Sequence, residues 1–306
     1  MKATAFIFPG QGSQYVGMGQ EFFENFREAR DVFQEADDVL HLSISSLCFQ
    51  GPEEELKLTE NTQPAVLTTS IAALRVLQAE KGLVPHLVAG HSLGEYSALV
   101  VSGALAFADA VQIVRLRGKF MQEAVPVGEG AMAAILGMER GQVEKLCEEA
   151  AQGEVLTPAN FNCPGQIVIA GHAKAVERAM ETVKQEGKKA VSLPVSAPFH
   201  SPLMKPAGER LEKALEGIPI RDLKIPVVTN VEADINQSKE RVKKLLVTQV
   251  WSPVRWEESM HKVTGDGIEQ TLEIGPGKIL SGLMKRINFK IETMNIEDIH
   301  TLKKIT

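Results

Sequence analysis

The stretch Val84-Pro85-His86-Leu87-Val88-Ala89-Gly90-His91-Ser92-Leu93-Gly94-Glu95-Tyr96 decides how the rest of the chain is read. A short apolar run ends in a turn spaced G-x-S-x-G, and a helical pattern follows. Strand, glycine-flanked serine and helix, in that order, make the nucleophile elbow of acyl-transferring enzymes. A serine on so sharp a turn points its hydroxyl into the open, and Gly90 and Gly94 let neighbouring backbone pass close. The Leu93 N–H then lies at a helix N-terminus, where free donors and the dipole favour a developing oxyanion.

Composition limits what surrounds the elbow. A chain of 306 residues, 44% apolar and 24% charged, can bury a large core in one or two domains. The longest apolar run, Ala98 to Ala108, stops at Asp109, short of a membrane span. The first apolar patch, Ala5 to Phe8, ends at Pro9 and is too short for a signal peptide. Cys48, Cys147 and Cys163 have no metal spacing and cannot all pair, which suits a reducing cytoplasm. A net charge of −6 argues against general nucleic-acid binding.

Upstream, Ala3 to Phe8 reads as a buried strand entering the loop Pro9-Gly10-Gln11-Gly12-Ser13-Gln14. A dinucleotide fingerprint starting at Gly10 would need glycine where Tyr15 stands, so the loop is read instead as a donor of backbone N–H groups to a neighbouring site. Helices are expected from about Gly19 to Leu40 and from Pro64 to Glu80.

Downstream, Asp109 is expected to cap a helix running to about Ala124. Ala110, Ile113, Val114, Met121 and Ala124 form its apolar stripe, with Gln112, Arg115, Lys119 and Gln122 opposite. Arg117 falls inside the apolar stripe. A guanidinium there must snorkel, join a structural ion pair, or meet an anionic ligand bidentately.

From Ala131 to Val195 the pattern becomes β-α-β-β-α-β, the ferredoxin-like order. Its expected pieces are Ala131–Leu136, Gln142–Ala151, Val155–Asn160, Gln166–Ala170, Ala173–Glu186 and Ala190–Val195. Gly128-Glu129-Gly130 and Ser196-Ala197-Pro198 read as hinges around an inserted domain. Phe199-His200-Ser201-Pro202 follows the second hinge, a position from which His200 either faces a cleft as a general base or serves as a structural histidine. His91 and His172 compete for that role; His91 adjoins the serine and could line the pocket, and His172 reads as a helix-start residue. The remainder is alternating α/β: a strand Ile225–Val231, a helix Lys239 to about Thr248, an aromatic turn Gln249–Trp256, a strand Thr271–Ile274, a helix Lys278–Arg286 and a last strand Ile291–Ile296.

Several separated pieces together resemble the malonyl-CoA:acyl carrier protein transacylase family of fatty acid synthesis. They are Phe8 to Gln14, Thr62-Gln63-Pro64-Ala65, Gly90 to Glu95, Arg117, Asn160 to Gly171, Phe199-His200-Ser201, Gln249 to Arg255 and Glu273-Ile274-Gly275-Pro276-Gly277. The resemblance runs from near Ala3 to at least Arg286 in the family's order. It implies an α/β fold: an α/β-hydrolase-like core with a parallel sheet, formed by residues 1–127 and 197–306, and a ferredoxin-like domain inserted at 128–196.

The resemblance also implies roles. Ser92 would be the nucleophile and His200 its base, oriented by a carbonyl oxygen at Gln249. The N–H groups of Gln11 and Leu93 would form the oxyanion hole. Arg117 would pair with the malonyl carboxylate, with Asn160, Phe199 and His91 lining the substrate pocket; Phe199 resembles the malonyl-selective version of its position. Malonyl-CoA and acyl carrier protein would be the partners, with no metal or other cofactor, no nucleic acid and no membrane. Since carrier proteins are acidic and this chain is too, docking needs a local basic patch, for which Lys188, Lys189, Lys285 and Arg286 are candidates. The competing class is a serine esterase or thioesterase on a similar core. Such enzymes expect a carboxylate partner for the histidine, and no acidic residue announces itself in that role.

Overall fold

β1 (Thr4–Phe8) is buried at every position, as a strand covered on both faces of a parallel sheet must be. The computed structural model describes residues 2–195 and 197–305. β1 lies between β2 (Leu87–Gly90) and β9 (Gln270–Ile274), parallel to both. The sheet continues through β10 (Glu292–Ile296) on one side, and β7 (Val227–Val228) and β8 (Ile235–Asn236) on the other, in the order β10-β9-β1-β2-β7-β8. Only β8 runs antiparallel, against β7.

The register Phe8 opposite Gly90 brings the loop after β1 and the turn after β2 to the same edge of the sheet. Ligands of open α/β sheets gather at these carboxyl ends of strands. The glycines are what allow the crowding. A Cβ on Gly90 would stand 1.9 Å from the Gly94 carbonyl carbon, and one on Gly94 would stand 2.1 Å from the Phe8 oxygen.

The second sheet holds β3 (Gly130–Leu136), β4 (Leu156–Cys163), β5 (Gln166–His172) and β6 (Lys189–Ser192) in the order β4-β5-β3-β6, with every pair antiparallel. Strand alternation divides its side chains. Ala133, Ile135, Ile167 and Ile169 join a core of their own with the helices Arg140–Ala151 and Ala173–Gln185. Met132, Val168 and Ala170 face the large core instead. Backbone bonds from Phe161 N to Val254 O (2.9 Å) and from Val254 N to Ala159 O (2.8 Å) fasten β4 to the large unit. Gly130 and Pro198 abut where the chain enters and leaves, so closely that a Cβ on Gly130 would be 2.3 Å from the proline ring. Ser196, read as part of the second hinge, lies outside the described residues.

Several expected boundaries shift. The first helix is two, Gln20–Asn25 and Arg27–Leu40, because Phe26 is extended (φ −126°, ψ 131°). The next begins at Thr59 and runs to Lys81 with Pro64 inside it, so packing of a buried segment overrides the preference of proline for a first turn. Ala106, not Asp109, stands at the N-cap position of the helix Phe107–Glu123, with no side-chain cap bond; Asp109 sits in its first turn, where its charge suits the helix dipole. Strand Ile225–Val231 contracts to β7, and β4 extends to Cys163, which puts Asn160 in mid-strand. Gln249 belongs to the helix Lys239–Trp251 rather than to a turn. Among the described residues no helix is long and apolar enough to cross a membrane.

Candidate active site

Ser92 sits between β2 and the helix Gly94–Val101 with φ 50°, a left-handed conformation that a non-glycine residue adopts only when its surroundings hold it there. Asn230, just past β7, is the residue that does so. Its Oδ1 accepts from Ser92 N (2.6 Å), its Nδ2 donates to Gly90 O (2.7 Å), and its own N–H donates to Glu95 Oε2 (2.9 Å).

His200 also has a positive φ, 60°, and its ring is aimed at the serine: Nε2 is 2.7 Å from Ser92 Oγ. Its Nδ1 is 2.8 Å from the backbone oxygen of Gln249. A carbonyl can only accept, so Nδ1 carries the proton and Nε2 is left to accept from the serine hydroxyl. Burial, followed by the nearby Arg117 charge, pushes the imidazole down to about 3. The ring is therefore neutral at any ordinary pH, with its Nε2 lone pair facing the serine hydroxyl.

Arg117 is 1% exposed. The expected apolar stripe packs inward at Ala110, Ile113, Val114 and Met121, and carries the guanidinium in with it. Nη1 donates to Gln63 Oε1 (2.8 Å), and Nη2 to Gln249 Oε1 (2.9 Å) and Ser92 Oγ (3.1 Å). The cation lies 5.5 Å from the centre of the Tyr96 ring. Burial lowers its pKa. Among the described residues no carboxylate forms a direct ion pair with it, and its Nε has no partner. Two neutral amides thus solvate a charge that an anion would neutralise.

A cavity of about 110 Å3 opens at Ser92 and Arg117. Gln11, His91, Asn160 and Phe199 line it together with the apolar side chains of Met121, Met132, Leu193 and Val195. Its size suits a small acyl group rather than a drug-sized ligand, for which pockets run to several hundred Å3. Leu93 precedes the elbow helix and Gln11 lies in the loop after β1, whose side chain donates to Thr59 Oγ1 (3.2 Å). Among the described residues neither backbone N–H has a protein partner. His91 turns aside to Asn162, Nε2 to Oδ1 2.9 Å, so it joins the two units rather than competing for the serine proton. His172 precedes its helix and accepts from Val155 N through Nδ1 (2.9 Å).

Two participants were not legible as such. Asn230 belongs to no motif. Glu95 stands inside the elbow sequence, 2% exposed, and its Oε2 accepts from Gln249 Nε2 (2.8 Å). Burial raises its carboxyl to about 7 against the pull of Asn230, Gln249 and Arg117. A charged residue in the otherwise uncharged run Gly94–Val101 was a usable signal, since a buried carboxyl needs partners. The carboxylate near the site thus contacts the side chain of Gln249, not His200.

The basic candidates lie away from the cavity. Lys188, Lys189 and Lys285 are exposed. Arg286 donates to Gln166 Oε1 (2.7 Å) and Pro164 O (2.9 Å), spanning from its helix, Ile279–Ile287, to the β4–β5 turn. The Lys188 stem borders Gly137, whose N–H donates to Gly165 O (2.9 Å), and Arg286 borders Gly165. Lys188 and Arg286, distant in sequence, thus flank the same end of the small sheet. Among the described residues no group of three or more His, Cys, Asp or Glu is arranged to hold a metal ion.

A strained serine on a strand-to-helix turn, a neutral histidine at hydrogen-bond distance and two unpaired N–H groups are the parts of an acyl-transfer site. The chain belongs to the acyl transferase domain family, which it matches over residues 5–294. It is 52% identical over 305 residues to a malonyl CoA-acyl carrier protein transacylase of Bacillus subtilis, covering 99% of this chain and 96% of that one. An acyl carrier protein S-malonyltransferase of Vibrio cholerae superposes with a TM-score of 0.96 at 45% identity, covering 99% and 100% of the two chains. A malonyl-transacylase solved in complex with a type II PKS acyl-carrier protein superposes with a TM-score of 0.95 at 48% identity, covering 98% and 97%.

Proposed function

We propose that this protein moves a malonyl group from malonyl-CoA to the phosphopantetheine thiol of an acyl carrier protein, through a malonyl ester on Ser92, and so supplies fatty acid synthesis. The observation that carries this reading is the buried Arg117 guanidinium, 3.1 Å from the Ser92 oxygen and unpaired by any carboxylate among the described residues. An acyl group bound there with a terminal carboxylate supplies the missing anion. Two N–H donors of one guanidinium match two carboxylate oxygens, which fixes the acyl chain as well as its charge.

The steps follow from the hydrogen bonds. Ser92 Oγ attacks the thioester carbon while His200 Nε2 takes its proton. The oxyanion receives the N–H groups of Gln11 and Leu93. The C–S bond breaks, coenzyme A leaves, and its sulfur takes the proton back from His200. In the second half-reaction the carrier-protein thiol gives its proton to His200 and attacks the ester; Ser92 leaves and is reprotonated. A histidine oriented by a carbonyl oxygen is less basic than one held by a carboxylate. A thiol, with a pKa of about 8.5 in the case of cysteine, needs far less help than water, so this favours transfer over hydrolysis.

The separate core of the small sheet and its order β4-β5-β3-β6 support reading residues 128–196 as a ferredoxin-like insert. Residues 1–127 and 197–306 then form a hydrolase-like core. Asn160, Phe199 and His91 would shape the acyl pocket, and Lys188, Lys189, Lys285 and Arg286 would receive the acidic carrier protein. Incubation with malonyl-CoA and a holo carrier protein tests the function: malonyl is expected on the carrier thiol faster than free malonate appears. Rapid hydrolysis with no transfer would make the protein an esterase.

A further inference from the structure

Gln249 enters the reaction through its backbone, yet its side chain is as firmly held as its carbonyl. Nε2 donates to Ser92 O (3.1 Å) and to Glu95 Oε2 (2.8 Å), while Oε1 accepts from Arg117 Nη2 (2.9 Å). The amide has two ends and only one arrangement satisfies them: its nitrogen must face the two oxygens and its oxygen the guanidinium. Reversing it would set NH2 against the Arg117 cation and an oxygen against the Glu95 carboxyl. Glu95 Oε2 also accepts from Asn230 N (2.9 Å), and Asn230 Oδ1 holds Ser92 N (2.6 Å). One carboxyl oxygen thus lies behind both residues that grip the serine backbone.

We infer that Glu95 is a positioning residue of the transfer reaction: its Oε2 locks the Gln249 amide and the Asn230 backbone, and through them fixes Ser92, His200 and Arg117 in one geometry. The effect has a chemical consequence. Through Gln249, one side chain decides where the base is oriented, where the nucleophile's carbonyl sits and which way the carboxylate-binding arginine points. Glu95 is absent from the lining of the cavity at Ser92. Its influence must therefore run through Gln249 and Asn230. The inference rests on the roles proposed above for Ser92, His200 and Arg117.

The role is tested on the full-length enzyme by a double-mutant cycle read in kcat for malonyl transfer. Glu95→Ala removes the acceptor and is expected to lower kcat about 10- to 100-fold, the worth of hydrogen bonds to a charged group, with little change in KM for malonyl-CoA. Glu95→Gln keeps an acceptor oxygen and should restore most of that loss. In a Gln249→Ala background, where the backbone carbonyl still orients His200, Glu95→Ala should cost much less than in the wild type. Additive losses, or Glu95→Gln as damaging as Glu95→Ala, would overturn the inference. Should Glu95→Ala not fold, Glu95→Asp, which withdraws the carboxyl by one methylene, takes its place in the cycle: a loss of kcat in the wild type that shrinks in the Gln249→Ala background supports the inference, and an equal loss in both backgrounds, or none in either, overturns it. Formation of the Ser92 adduct is followed in parallel, so that a failed coupling with a normal adduct rejects Glu95 alone, whereas an adduct on another residue rejects the proposed site.

Discussion

Arg117 Nη2 donates to Ser92 Oγ at 3.1 Å, so the guanidinium proposed to bind the acyl carboxylate and the proposed nucleophile share a hydrogen bond. Arg117→Ala should cost malonyl transfer severely, by about 3–5 kcal/mol if the substrate carboxylate is left buried and unpaired. Acetyl transfer should fall far less or rise. Arg117→Lys should recover part of the loss, because a point charge cannot make the two-pronged contact. The ratio of malonyl to acetyl transfer, with thermal unfolding as control, checks this. Equal losses in a destabilised protein would make Arg117 a structural residue.

The low basicity of His200 fixes the sign of the pH dependence. Its pKa is depressed to about 3, so the neutral, active form persists as pH falls well below the ordinary histidine value of about 6.5. Activity should therefore hold on the acid side of neutrality. Arg117 is the second cause of the depression after burial, and a malonyl carboxylate bound to it, as proposed, would offset its charge. The acid limb of kcat for malonyl-CoA should then lie at higher pH than that of kcat/KM, which reports the free enzyme. For acetyl-CoA the two limbs should coincide. Profiles with both substrates provide the measurement; a limb near 6.5 for the free enzyme would contradict it. Stability follows the same linkage: the unfolded histidine binds a proton below about 6.5 and the folded one does not, so this group's contribution declines as pH falls from about 6.5 toward 3.

Asn230 should matter to the elbow more than its lack of a motif suggests. Asn230→Ala removes the acceptor for Ser92 N, in a partly buried setting, and the donor to Gly90 O, in a buried one. A loss of about 1–3 kcal/mol in stability is expected from each unsatisfied group, with a fall in kcat that exceeds the change in KM. Denaturant unfolding together with steady-state kinetics reads both. An unchanged kcat would mean that the left-handed turn at Ser92 holds itself.

The basic patch gives a sharper test than four charges treated alike. Arg286 already donates to Gln166 and Pro164, so reversing it disturbs the β4–β5 turn as well as the charge. Lys188→Glu, Lys189→Glu and Lys285→Glu are the cleaner variants. Together they should raise KM for the carrier protein and weaken its salt dependence, leaving KM for malonyl-CoA alone. Unchanged carrier-protein kinetics would move the dock elsewhere.

What could be read in the sequence follows from how local each cause is. The elbow was legible because Gly90, Ser92 and Gly94 answer to one tight turn, and Arg117 because a charge within an apolar stripe stands out at helical period. The β-α-β-β-α-β order was legible because each strand alternates over its own length. The helix starting at Thr59 was not, since Pro64 signals a boundary locally and burial overrides it. Asn230 was not, because its importance comes from β7 lying beside β2, a pairing across more than a hundred residues. Glu95 stood in plain sight, but its partner Gln249 lies 154 positions away.

The central claim is that Ser92 carries the malonyl group. Intact-mass spectrometry after brief exposure to malonyl-CoA tests it most directly, with Ser92→Ala as the comparison. The wild type should gain one malonyl increment, localised by peptide mapping to the elbow, and lose it on addition of holo carrier protein. Ser92→Ala should fold normally and gain nothing. A folded Ser92→Ala protein that still acquires the malonyl mass, on Ser13, Ser201 or any other residue, would contradict the account.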